Sequence, residues 1–174
     1  MSRRALLLRN EEGIVLVVCL ITLVILTLIG VSMTTTSRLE AEISGNDKTY
    51  KEAFYAAEVS LTAGETVVNS LLSRADLNEG TTPGRYIKGT QPAWDQLVWD
   101  SAHSAAVNPI PNGLSKVAAP PRYTIEERSF RRDSLTVGIG VTTGAYLFTV
   151  KAHGTGTNKA SEVLLESIYA KHYN

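Results

Sequence analysis

Apolar side chains follow three different rhythms along this chain. Residues 14–31 are almost wholly apolar, and between Gly13 and Ser37 no side chain is ionisable apart from Cys19. As a helix, residues 14–33 would rise roughly 30 Å, the depth of a bilayer's hydrocarbon core. From Ser32 to Arg74 the chain contains no proline and the rhythm becomes helical. Phe54, Leu61 and Val68 stand seven residues apart, and Ala57, Gly64 and Leu71 form a second row beside them. Two such rows make one stripe wide enough to face a core. The spacing therefore predicts one long helix over 14–72, with 14–33 crossing the membrane and the rest packing its stripe against a sheet. Ala57 and Gly64 leave a shallow track where another element can approach the backbone. Gly45-Asn46 is the weak point, because glycine costs about 1 kcal/mol relative to alanine inside a helix. Bending or local melting is expected there.

Residues 73–121 break the rhythm with "NEGTTPGRY", "KGTQP", "NPIPNG" and "AAPPR", all rich in turn formers. A loop-rich connection follows, with one short helix expected at "PAWDQLVWDSAH", where Trp94, Leu97 and Val98 fall near one face. Trp94 and Trp99 read as packing anchors. Over 122–174 the period becomes that of strands. "RYTIEERSF", "LTVGIGVTT", "AYLFTVKAHG" and "SEVLLESIYAKHY" are candidate strands, and "GTGTNKA" is a hairpin connection between the last two. The fold class is α+β: a mostly antiparallel C-terminal sheet lying on the outer half of the helix.

Composition narrows the function by exclusion. Lys+Arg and Asp+Glu balance at 17 each, so no net field draws nucleic acid or an acidic substrate. The single cysteine rules out an internal disulfide. His103, His153 and His172 lack metal-ligand spacing, and His153 reads as a surface imidazole at a strand end. Asp95, Asp100 and His103 could share one helix face, where solvation is the expected state. "RSFRRD" is a short basic cluster with a solvated loop as its default, and "GTGTNK" is a turn between strands. No catalytic constellation, metal site or cofactor site emerges, and the chain does not read as an enzyme. The apolar run is too long for an ordinary cleaved secretory signal. Arg3, Arg4 and Arg9 precede it, which keeps the N-terminus cytoplasmic and sends the rest outward.

These features resemble a known family. A short leader ending in Gly13, an uncharged helix start and an amphipathic continuation are the organisation of type IV prepilins. The "LTLIGVSM" exit with its following threonines, the set Leu39, Glu40, Gly45 and Asn46, and "AFYAAEVSL" running on to Gly64 and Glu65 resemble the PilX-type minor pilins. The ending "FTVKAHGTGTNKASEVLLESIYA" is similar to that family's last hairpin. The resemblance implies a pilin-like fold, with 1–13 as a cytoplasmic leader, 14–72 as the helix, 73–121 as the connection and 122–174 as the sheet. It implies cleavage between Gly13 and Ile14 by a prepilin peptidase, N-methylation of Ile14, storage in the bacterial inner membrane with the C-terminal part periplasmic, and insertion into a pilus fibre by helix bundling. Implied partners are other minor pilins, the major pilin and a tip adhesin. One position departs from major pilins: where they carry glutamate, at the fifth mature position, this chain has Val18. A type II secretion pseudopilin and a single-pass periplasmic protein that never polymerises share the same helix chemistry and stand as the rival readings.

Overall fold

The computed structural model describes residues 4–73, 77, 82–114, 116–133 and 144–173, with side chains from Gly13 onward. The chain divides into two compact units, Met1–Asn46 and Asp47–Asn174. One helix, α1 (Arg4–Ser70), contributes to both. In the first unit it is the whole structure, and every described side chain there is exposed.

Gly45 and Asn46 keep the helical conformation, so the local melting expected at that point does not occur. The cost of one glycine is small against the hydrogen bonds that opening would leave unmade. Just beyond, the Lys51 ammonium donates to Asp47 at 2.7 Å, an i,i+4 pair that adds a few tenths of a kcal/mol, roughly.

The second unit adds a sheet to the outer part of α1. Its strands are β1 (Arg85–Tyr86), β2 (Ala105–Ala106), β3 (Arg122–Arg132), β4 (Gly144–Thr155) and β5 (Glu162–His172). The order is β1-β3-β4-β5, with β2 also on β3. β3, β4 and β5 pair antiparallel, as does β2 with β3, while β1 runs parallel to β3. A bulge between Glu127 and Ser129 shifts the β3–β4 register by one residue. The β4–β5 connection closes as the sequence indicates, with Gly156 N–H donating to Ser161 O at 2.8 Å and Ser161 N–H donating to Asn158 O at 3.1 Å. The expected strand "LTVGIGVTT" lies outside the described residues.

The short helix expected over Pro92–His103 is not formed; the segment is a series of turns. The reason is local. The Asp100 carboxylate accepts the backbone N–H groups of Ala102 and His103 at 2.9 and 2.8 Å, which closes a turn in place of a helical ladder. Arg122 then holds that turn from β3, donating through Nη1 to the carbonyls of Asp100 and Ser104 at 2.7 and 2.9 Å.

β4 is covered on both faces. Its even-numbered row meets α1. Its odd-numbered row meets the connecting segment, which folds back as a strap across the sheet: Trp94 lies over Lys151, Trp99 over His153, and Thr155 bonds Ala119. The main core sits between α1 and the sheet at the end where the helix stops, built by Val68, Leu71, Leu77, Ile125, Phe148 and Val150. Fully burying side chains of this size contributes about 1.5–3 kcal/mol each. A smaller cluster of Ala53, Ala57 and Val163 lies toward the other end of the seam.

Candidate functional site

Two surfaces of the helix carry the functional argument. The first is the apolar rod of the first unit. Its leucines, isoleucines and valines stand roughly half or more exposed in the isolated chain, Ile14 and Val18 among them. Hydroxyl side chains interrupt the rod, and those of its membrane-length stretch find partners inside the helix. Thr22 donates to Val18 O and Cys19 O, both at 2.9 Å, Thr27 to Val24 O at 2.7 Å, and Ser32 to Leu28 O at 2.9 Å. Thr34, Thr35 and Thr36 do the same one turn later. In lipid no water is available to satisfy a hydroxyl, so this back-bonding is what makes the residues compatible with a membrane-crossing helix. The length and composition of the helix suffice to cross a bilayer.

The second surface is the seam between α1 and the sheet. Of the residues the spacing selects, Ala57, Gly64, Val68 and Leu71 are buried, and Leu61 packs at the margin of the core. Phe54 remains 38% exposed, because the row meeting the sheet at that level runs through Ala53, Ala56, Ala57 and Ser60 instead. The backbones come close here. A Cβ on Gly154 would lie 2.2 Å from Ala57 N and 2.4 Å from Ala53 O, and one on Gly156 would lie 2.3 Å from Thr49 O. From the helix side, a Cβ on Gly64 would fall 2.5 Å from Val150 Cγ1 and 3.1 Å from the Tyr123 ring. The shallow track read at Ala57 and Gly64 is thus occupied by β4 and Tyr123. The one sequence signal for Gly154 and Gly156 is "GTG" at a strand end, which the spacing of the helix does not reach.

Polar contacts tie the seam down. Ser60, fully buried, donates to Ala57 O at 2.9 Å and to His153 O across the seam at 3.4 Å. Ser167 donates to Glu65 at 2.7 Å, and Thr157 donates to Glu52. At the helix end, the Lys171 ammonium donates to the carbonyls of Val68, Asn69 and Leu71 at 3.0, 2.5 and 2.5 Å. The last carbonyls of a helix lack the regular i+4 partners of its interior, so the ammonium adds a donor there and complements the helix dipole. Nothing near Lys171 in the sequence announces that role.

The opposite face of the sheet corrects one expectation. His153 is 7% exposed rather than a surface imidazole, stacked under Trp99 with ring centroids 5.0 Å apart and its Nε2 at 3.3 Å from Glu162. Trp94 anchors the strap as expected, its indole N–H donating to Glu166 at 3.2 Å and its ring 4.9 Å from the Lys151 ammonium. Asp100 and His103 do meet, at 2.8 Å, on an exposed turn. The His103 ring, then its backbone N–H, holds the Asp100 carboxyl below the usual carboxylate range. Asp95 is not part of that contact. Among the described residues no cluster of His, Cys, Asp or Glu could hold a metal ion. In the second unit the described residues lay a sheet along the outer part of α1.

A membrane-length apolar helix, continued by an amphipathic half that a sheet clads, is a pilin-like α+β arrangement. The chain belongs to the family of the type IV pilus assembly protein PilX: the PilX N-terminal model matches residues 12–62, and the type IV pilus assembly protein PilX C-terminal model matches residues 44–171. The family is one of structural pilus components rather than enzymes. Neither a curated protein nor a solved structure matches the chain.

Proposed function

We propose that the chain is a minor pilin that primes a type IV pilus or sits at its end. It is made as a precursor whose leader stays cytoplasmic, is cut between Gly13 and Ile14 by a prepilin peptidase, and is methylated at Ile14. It then waits in the inner membrane with residues beyond about 34 in the periplasm. From there it enters the fibre, where the apolar rod bundles with the helices of the major pilin and other minor pilins, and a tip adhesin is a further partner.

The observation that carries this reading is Val18. A charged side chain in the middle of a bilayer costs about 2.5–3.5 kcal/mol on insertion scales. Valine at that position eases residence in the membrane. In a fibre the glutamate it replaces would neutralise the terminal ammonium of a neighbouring subunit, in apolar surroundings where an unpaired charge is costly. Losing that pair at every repeat would weaken a long fibre; at an end, where one neighbour is missing, the loss matters least. Immunogold labelling of sheared fibres tests the placement. Label confined to fibre ends or to the cell envelope is the expected result, and regular dense label along the shaft would overturn it.

A further inference from the structure

The two margins of the sheet differ. On one side β3 is met by β1 and β2, each two residues long. On the other side β5 runs eleven residues in unbroken register with β4, from Glu162 to His172. Among the described residues, no strand pairs with the outer edge of β5. Sheets usually protect such an edge with proline, a bulge or a very short strand, because its free N–H and C=O groups recruit any extended chain. β5 has no proline, bulge or truncation; its charges are Glu162, Glu166 and Lys171, the last of these engaged at the end of α1. Its exposed row reads Glu162, Leu164, Glu166, Ile168, Ala170 and His172, with Leu164 42% and Ile168 55% exposed. Glu166 is engaged by Trp94, whereas the Glu162 side chain is 61% exposed beside His153.

We propose that the free edge of β5 accepts an extended strand from another protein chain. Main-chain hydrogen bonds supply the affinity, as in other cases of strand addition, and the exposed row supplies the choice of partner. That row selects a segment with apolar side chains opposite Leu164 and Ile168 and a basic side chain opposite Glu162. The opposite row of β5 is committed to α1 through Val163, Ser167 and Lys171, so the incoming strand leaves the seam intact.

The test uses the full chain in detergent micelles and an eleven-residue synthetic peptide. The peptide has valine opposite Leu164, Ile168 and Ala170, lysine opposite Glu162, and threonine elsewhere. It is expected to bind and to slow amide exchange over 162–172 without changing exchange in 47–70. Replacing its lysine by glutamate weakens binding about fivefold, and Ile168→Lys in the protein does the same while leaving the melting temperature unchanged. Equal binding by a scrambled peptide, no protection over 162–172, or full protection of that edge before any peptide is added would each overturn the proposal. The readout involves the second unit alone, so dense label along a fibre shaft would refute the fibre-end reading and leave this result standing.

Discussion

Gly154 of β4 lies against the backbone of Ala57 so closely that a methyl group on the glycine would sit 2.2 Å from the alanine nitrogen. The contact joins positions far apart in the chain, and it sets how near the sheet can come to α1. Gly154→Ala is expected to destabilise the second unit by about 3 kcal/mol, since neither backbone can give way without disturbing the seam. Gly113→Ala is the control: a Cβ there meets nothing within 4 Å, and its effect stays within about 0.5 kcal/mol. Denaturation of the full chain followed by circular dichroism separates the two.

Lys171 closes the end of α1 by donating to three carbonyls. Lys171→Met keeps most of the apolar stem and removes the ammonium. The variant is expected to lose about 2 kcal/mol, with faster amide exchange over the last helical turn. Unchanged exchange there would mean that the carbonyls find other partners.

Tyr123 rests against Gly64, and burial pushes its phenol above the ordinary value, with Arg85 pulling weakly the other way. A raised folded pKa means that the unfolded chain loses the proton first. The stability that the buried neutral phenol contributes is therefore fully present below about pH 10 and is lost as pH rises past that value. Urea midpoints between about pH 9 and pH 11 should fall, and Tyr123→Phe should make the fall shallower.

Processing is tested at the other end of the chain. Gly13→Val should leave uncleaved precursor in the inner membrane, while the native chain should begin at Ile14 on N-terminal sequencing. A mature protein of normal length from the variant would refute cleavage at that bond.

Much of this architecture is written in local pattern. The apolar run predicts α1 because its length exceeds any soluble core element, and Val68 and Leu71 are buried as the seven-residue spacing requires. The β4–β5 hairpin is legible from "GTGTNKA" between two β-branched runs. What escapes the pattern depends on distant partners. β1 and β2 are too short for any alternation to register. The helix expected around Trp94 fails because Asp100 bonds its own backbone and because Arg122, from another part of the chain, holds the turn. His153 is hidden by Trp99, fifty-four positions earlier, and no feature of "VKAHG" records that cover. The seam glycines are the middle case: small residues are visible in the sequence, and the backbone they make room for is not.

On the proposed role as a fibre subunit, tension enters the domain along α1, and the double cladding of β4 bears on how it is borne. Pull arriving along α1 reaches β4 through the tight contacts at Thr49, Ala53 and Ala57, and then spreads sideways into β3 and β5. Load applied parallel to those ladders strains many rungs together, where a peeling force would open them one after another. The strap on the far face hinders β4 from buckling away from the helix. A strand wedged in this way is suited to act as the domain's tendon, passing mechanical strain from the outer part of α1 into the whole sheet.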